Sequence, residues 1–185
     1  WPRPAQTIAT RFSIEFPTEA TIGTGAAEPY PSMSPDGRYV VFRALSGAPT
    51  SGLWLRPTDA LSAQAIAGTD GVDRPDGVGM YPFWSADSRF IGFIAGGKLK
   101  KVAVSGGPPQ ILCDAAGLGG TWNQDDVVLF DKGGSLYRVA AAGGVSTAVR
   151  APDKSKHELL TWPSFLPDGR HFLYVAVSPE PGRTE

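Results

Sequence analysis

A single cysteine, Cys113, stands among the 185 residues, so no disulfide can form within the chain, and cysteine usage leaves the redox compartment open. Only two histidines occur, His157 and His171, and neither has a second histidine or cysteine at metal-binding spacing. No run of 18 or more apolar residues is present, which excludes a membrane-spanning helix within these residues, and the opening residues do not read as a signal peptide. Charge of one sign is lacking too. Seventeen Lys and Arg face 18 Asp and Glu for a net charge of −1, with no basic stripe, so nucleic acid and anionic membrane are not expected partners.

Catalytic signatures are equally scarce. There is no Gly-x-Ser-x-Gly nucleophile elbow. The glycine-rich stretch Gly117-Leu118-Gly119-Gly120 has no Gly-Lys-Ser/Thr after it and is no phosphate loop. The Gly-rich loop, His-Arg-Asp and Asp-Phe-Gly signatures of kinases are missing. Cys113 follows Ile111-Leu112 and reads as a small buried hydrophobe rather than a nucleophile, which would need a base held beside it. His171 is expected in a strand and His157 in a charged loop. This segment is therefore expected not to be an enzyme, and no catalytic, cofactor-binding or metal-binding residue is assigned and no cofactor is expected.

What the chain does have is glycine and proline, 23 and 17 residues, a composition suited to short strands joined by tight turns. It also has four imperfect copies of one phrase: Tyr-Pro-Ser-Met-Ser-Pro-Asp-Gly-Arg (30–38), Tyr-Pro-Phe-Trp-Ser-Ala-Asp-Ser-Arg (81–89), Gly-Thr-Trp-Asn-Gln-Asp-Asp (120–126) and Trp-Pro-Ser-Phe-Leu-Pro-Asp-Gly-Arg (162–170). The marker aspartates Asp36, Asp87, Asp125 and Asp168 lie 51, 38 and 43 residues apart. A repeat of about 40–50 residues with a turn in each unit is the pattern of a β-propeller blade.

The second unit shows the strand grammar. Met80 to Trp84 is an apolar strand A, Ser85 to Ser88 a turn, and Arg89 to Ile94 strand B. Gly96-Gly97 turns again, Lys98 to Ala103 alternates as a half-exposed strand C, and Gln110 to Cys113 forms an outer strand D after Ser105 to Pro108. Leu53 to Arg56 and Ala65-Ile66 continue the first unit in the same way, and Trp122 aligns with Trp84 on an inner strand. Strands are further expected over 30–33, 39–44, 81–84, 89–94, 98–103, 127–130, 135–140 and 171–176, with almost no helix. The expected fold is all-β, a partial propeller of about three and a half four-stranded antiparallel blades, at about 28–79, 80–118, 119–159 and 160–185. Residues 1–27 read as linker plus an N-terminal strand, Thr10 to Phe16, which would close the ring in a parent protein. The short fourth unit and the first residue, Trp1, suggest a piece of a longer chain.

In Ser-Pro-Asp-Gly, proline presets φ, aspartate binds turn amides and glycine takes the left-handed conformation. The four aspartates are thus read as turn residues, since a calcium loop needs several carboxylates within about a dozen residues. The third turn, Asn123-Gln124-Asp125-Asp126, lacks Pro and Gly and is expected to be tighter or differently shaped. Trp84, Trp122, Phe42, Phe93, Phe130 and Tyr174 recur at matching places and should form the core between blades. Two non-repeating loops, Gly68 to Gly79 and Ala151 to Glu158, read as solvated insertions or as ligand contacts, the first of these favoured.

The phrases Ser34 to Arg38, Phe83 to Ser88 and Leu166 to Tyr174 resemble the WD-repeat-like, TolB-type β-propeller family over about residues 28–176. Arg11 to Ile14, Gly96 to Lys101 and Ser105 to Pro109 look like the C-terminal propeller of bacterial eukaryotic-type serine/threonine kinases. That resemblance implies an extracytoplasmic or periplasmic sensor module of a receptor kinase, binding a protein or small-molecule ligand on a propeller face. Two other readings stay open: the gating propeller of a prolyl-oligopeptidase-type serine peptidase, and a free TolB-like periplasmic scaffold. The segment itself is expected to make no membrane contact, while its open strand edges invite edge-to-edge self-association.

Overall fold

The computed structural model describes residues 31–45, 51–72 and 81–178. Three sheets carry four strands each and a fourth carries two. The first blade is β1 (Ser32–Met33), β2 (Tyr39–Leu45), β3 (Ser51–Pro57) and β4 (Gln64–Ala65). The second is β5 (Phe83–Trp84), β6 (Phe90–Ala95), β7 (Lys98–Ala103) and β8 (Gln110–Asp114). The third is β9 (Gly120–Trp122), β10 (Val127–Lys132), β11 (Ser135–Ala140) and β12 (Thr147–Arg150), and β13 (Leu159–Phe165) pairs with β14 (Phe172–Val177). Each strand pairs antiparallel with its sequence neighbour. Apart from strands, the described residues hold one 3-10 turn, Lys154–Lys156.

The strands form where apolar residues alternate, and both faces of each middle sheet are covered. One face of the second blade sends Trp84, Ile91, Phe93 and Val102 against Val41 and Leu53 of the first. The other sends Phe83, Ile94, Leu99 and Leu112 against Trp122, Val128, Phe130 and Val139 of the third. Sheets stacked face to face on both sides are what blades fanned about an axis require. A tryptophan on the innermost strand makes the same contact at the first two seams. Trp84 stacks on Tyr39 at 6.4 Å and Trp122 on Phe90 at 5.9 Å, each ring meeting the first residue of the preceding blade's second strand. The expected burial of Trp84, Trp122, Phe93 and Phe130 holds, at 7, 6, 1 and 0 % exposure.

Tyr174 departs from expectation. It was assigned to the inter-blade core, yet it is 36 % exposed, and Leu173 reaches 62 %. Among the described residues no third or fourth strand extends the β13–β14 hairpin and no further sheet stacks on it, so its apolar face keeps contact with water. Two strands went unforeseen, β12 and the first half of β13; Pro163 interrupts the pairing of β13, where the register shifts between Thr161 and Ser164. The proposed ring-closing strand at Thr10 to Phe16 lies outside the described residues.

The first two A–B turns share one construction. Ser34 Oγ donates to Asp36 Oδ1 (2.6 Å) and accepts from Tyr39 N (3.0 Å), while Asp36 Oδ1 accepts from Arg38 N (3.0 Å). Ser85 and Asp87 repeat these bonds at 2.7, 2.9 and 3.1 Å. The residue after the aspartate is left-handed in every copy, at φ 73, 61, 57 and 67° for Gly37, Ser88, Asp126 and Gly169. The third turn is indeed tighter. Asn123 N reaches Val127 O four residues on, whereas Ser34, Ser85 and Leu166 close on the fifth. Here Asn123 Oδ1 accepts from Asp125 N and Val127 N, so the asparagine takes the capping role assigned to the Asp125 carboxylate. Asp125 contributes its backbone N–H instead.

A Cβ at Gly37 would meet no atom within 4 Å, so its substitution cost is purely conformational. Gly37→Val should lower stability by about 1–2 kcal/mol in urea unfolding. A loss below about 0.3 kcal/mol would contradict the left-handed geometry.

Candidate binding face

The turns mark one end of the stack. Asp36 N donates to Ser88 Oγ (3.1 Å) and Asn123 Nδ2 to Gly169 O (2.8 Å), joining successive turns across blades. A polar cleft of about 270 Å3 lies between Ser85–Asp87 and Asn123–Asp126. Its carboxylates are engaged in turn bonds: Asp126 Oδ1 accepts from Trp122 Nε1 at 3.0 Å, and Asp87 binds Ser85 and Arg89. Burial raises the Asp87 carboxyl, but its bonds to Ser85 and Arg89 outweigh this and hold it below the usual range. Among the described residues no three His, Cys, Asp or Glu side chains are placed to hold a metal ion.

The other residues singled out from sequence lie apart from one another. Cys113 is half-buried in β8, and burial pushes its thiol up, away from the reactive thiolate. His157 ends the 3-10 turn in the left-handed conformation and is exposed. His171 sits just before β14 rather than in it, with Nδ1 2.6 Å from Asp168 Oδ2. That bond, with the backbone N–H groups of His171 and Arg170, lowers the Asp168 carboxyl from its ordinary 3.8 to about 2. A depressed folded value stabilises above the unfolded value and is lost as pH falls through the folded one. The contribution is therefore full above about pH 4 and gone below about pH 2. Asp168→Asn should flatten the fall in melting temperature between pH 4 and 2; an unchanged slope would contradict the Asp168–His171 bond.

The loop after β4 is less solvated than expected. Thr69 is 1 % exposed, with Oγ1 accepting from Leu53 N (2.9 Å) and donating to Ile66 O (2.6 Å), and Val72 enters the core between the first two blades. Asp70 is exposed, while Asp73, Arg74 and Asp76 lie outside the described residues.

The opposite end of the stack, where each blade's fourth strand returns to the next blade, carries a more open arrangement. Tyr81 and Trp162 occupy the same place in their repeats, four residues before Ser85 and Leu166. The third blade has Gly119 there. A Cβ on Gly119 would lie 3.2 Å from Tyr81 Cβ and 3.3 Å from Tyr81 O, so a side chain would displace Tyr81. With none present, Tyr81 of the second blade crosses the third and meets Trp162 of the fourth edge-on, at 6.3 Å and 90°. Tyr81 N also donates to Leu118 O at 2.7 Å.

Beside Trp162 a cavity of about 430 Å3 opens between the third and fourth blades, lined among others by Leu118, Asp131, Gly134, Leu159, Thr161 and Trp162. Asp131 is 6 % exposed, and its carboxylate accepts from Leu118 N (3.1 Å) and Gly119 N (3.4 Å). Thr161 is 8 % exposed and its Oγ1 has no hydrogen-bond partner. Trp162 has φ 50°, a conformation that costs a bulky residue about 1–2 kcal/mol, and remains 43 % exposed. Strain of this kind gathers at functional positions. Sequence reasoning passed over Asp131, Thr161 and Trp162. The signals were an aromatic-proline pair heading three repeats, and a carboxylate at Asp131 where the second blade has the fully buried Ile94.

No protein-family model and no curated protein sequence matches the chain. Solved structures do. A candidate TolB from Agrobacterium tumefaciens superposes with a TM-score of 0.63, at 16 % identity over 79 % of this chain and 53 % of that one. The fold is that of a TolB-type β-propeller. TolB from Acinetobacter baumannii gives a TM-score of 0.57 at 16 % identity, covering 78 % of this chain and 36 % of that one. An oligogalacturonate lyase from Vibrio parahaemolyticus gives 0.56 at 16 % identity, over 80 % of this chain and 46 % of that one. The propeller described here spans about half, or less, of the length of these proteins, and identities so low carry the fold and not the activity.

Proposed function

We propose that this propeller is a non-catalytic interaction module that binds a protein or small-molecule ligand on the face holding Tyr81 and Trp162. The observation that carries the reading is the cavity beside Trp162: concave, largely apolar, and supplied with a few inward polar groups, as binding sites are. The thiol and both histidines stand on separate elements, and the marker aspartates Asp36, Asp87 and Asp168 are spent on their own turns. Balanced charge argues against nucleic acid as the partner.

The finer reading is the extracytoplasmic part of a bacterial receptor-type serine/threonine kinase. It rests on the resemblance of Arg11 to Ile14, which lie outside the described residues, and of Gly96 to Lys101 and Ser105 to Pro109, which make the B–C turn, third strand and C–D turn of the second blade. No helix among the described residues is long and apolar enough to cross a membrane, so an anchor would be encoded elsewhere. The coding sequence on either side tests this. A kinase domain followed by a membrane helix upstream is the expected result. A hydrolase domain with Ser, Asp and His downstream would replace it with the peptidase reading, and a signal peptide with neither enzyme would replace it with the free periplasmic scaffold.

A further inference from the structure

Resting on the interaction-module reading, the geometry points to a ligand class for the cavity between the third and fourth blades: a neutral aromatic ring with one hydrogen-bonding group on its edge, such as a phenol. Three features of the cavity select it. The first is a bulge in β13. Thr161 pairs with Val175 and Ser164 with Leu173, so Trp162 and Pro163 together face the single residue Tyr174. The hairpin resumes on both sides, so strand pairing does not need the bulge. Its effect is to re-aim a side chain. With Trp162 at φ 50° and Pro163 buried, the indole stands half-exposed at the cavity rim, braced edge-on by Tyr81. Rings attract one another beyond the area they bury, so an open indole surface favours an aromatic body over an aliphatic one.

Thr161 is the second feature. It belongs to the cavity wall, is 8 % exposed, and its Oγ1 has no hydrogen-bond partner. A buried hydroxyl left unpaired is costly, and one step about χ1 exchanges Oγ1 with Cγ2 on the wall. A ligand with one donor or acceptor supplies the missing bond. The remaining wall includes Leu118, Leu159, Leu160 and Val177, which suits a ring and not the many hydroxyls of a sugar. Charge is the third feature. Asp131 is the one ionisable residue lining the cavity, and its carboxylate is already engaged within the chain, by Leu118 N and Gly119 N among others. An anion would meet that carboxylate with no cationic side chain in the lining to offset it, and a cation would have to compete for oxygens already bonded. A neutral ligand meets neither cost.

Calorimetric titration of the full chain tests the assignment. A free phenol and the tyrosine side chain of a protein partner share this chemistry, so the probes are p-cresol and N-acetyl-tyrosine amide. Toluene and N-acetyl-phenylalanine amide are their counterparts without the hydroxyl, and benzylammonium and 4-methylbenzoate carry the two charges. Each phenol should bind about tenfold more tightly than its counterpart. Thr161→Val, which removes the hydroxyl and nearly keeps the shape, should erase that difference. Its melting temperature should be equal or higher, since an unpaired hydroxyl leaves the interior. Trp162→Leu should weaken phenol binding about fivefold, and Trp162→Phe should largely restore it. Tighter binding of p-cresol than of N-acetyl-tyrosine amide supports a free small molecule, and the reverse order supports a protein side chain. Equal affinity for a phenol and its counterpart, or a preference that survives Thr161→Val, would overturn the assignment. A charged probe that binds through Trp162 more tightly than p-cresol would overturn the neutral class and leave the interaction module standing. Failure of every probe would overturn the cavity as a ligand site, and the flanking coding sequence judges the module reading separately.

Discussion

Replacing Phe130 with alanine is expected to lower the stability of this propeller by about 3–5 kcal/mol, the range for truncating a fully buried aromatic. Phe130 has no exposure at all, and it sits mid-strand in β10 at the seam between the second and third blades. Its ring packs among Ile94, Leu99 and Leu112 on one side of the seam and Val128 and Val139 on its own, and stacks on Tyr137 at 6.1 Å. Truncation removes the transfer free energy of the ring and leaves a cavity between two sheets whose strands are fixed by hydrogen bonds on both edges. Such a site cannot collapse easily, which places the cost in the upper half of the range. Phe172→Ala, on the open hairpin, serves as the contrast: its ring is only partly buried, and its loss should cost much less. Chemical unfolding of the two variants measures the difference. Equal losses would mean that the seams between blades are not where the fold is held.

The repeat made the hairpins legible because each one depends on local chemistry alone. An aspartate at the turn and a left-handed residue after it, with a serine two residues ahead in the first two copies, are sufficient to place β1–β2, β5–β6 and β13–β14. Alternation then located the long middle strands and the residues they bury. The third turn was harder, since Asn123 and Asp125 each offer a capping group; the loop is one residue shorter, and that shortening selects Asn123. Tyr174 failed for a different reason. Its position within the strand matches Phe93, but burial depends on whether sheets and strands surround it, which no local pattern records. The cavity was invisible for the same cause. Tyr81, Gly119, Asp131 and Trp162 come from three blades, and what joins them is the missing side chain at Gly119, a gap that matters only when the neighbouring blades close over it.

The stretch Gly117-Leu118-Gly119-Gly120, which has no phosphate-binding chemistry, acquires a steric meaning, and Gly117→Ala is the second substitution with a large expected effect. A Cβ at this position would lie 1.9 Å from the backbone oxygen of Asp131 and 2.8 Å from its carbonyl carbon. The obstacle is backbone held within a paired strand, so it cannot swing aside as a side-chain tip could. The loop must lift instead. Lifting breaks the bonds from Leu118 N and Gly119 N to the Asp131 carboxylate and endangers the one from Tyr81 N to Leu118 O. Overpacking of this kind costs about 1–3 kcal/mol, and each of the two hydrogen bonds lost adds about 1 kcal/mol, for an expected loss of about 3–5 kcal/mol. Gly96→Ala is the control. Gly96 has φ 59° and open space around it, so its cost should stay near 1 kcal/mol and leave the Tyr81–Trp162 contact intact. Urea unfolding gives both losses, and the near-ultraviolet circular dichroism of the tryptophans reports whether the Tyr81–Trp162 contact survives. A Gly117→Ala chain as stable as the Gly96→Ala one, with its tryptophan signal intact, would show that the loop does not rest on β10, and the floor of the cavity beside Trp162 would have to be drawn differently.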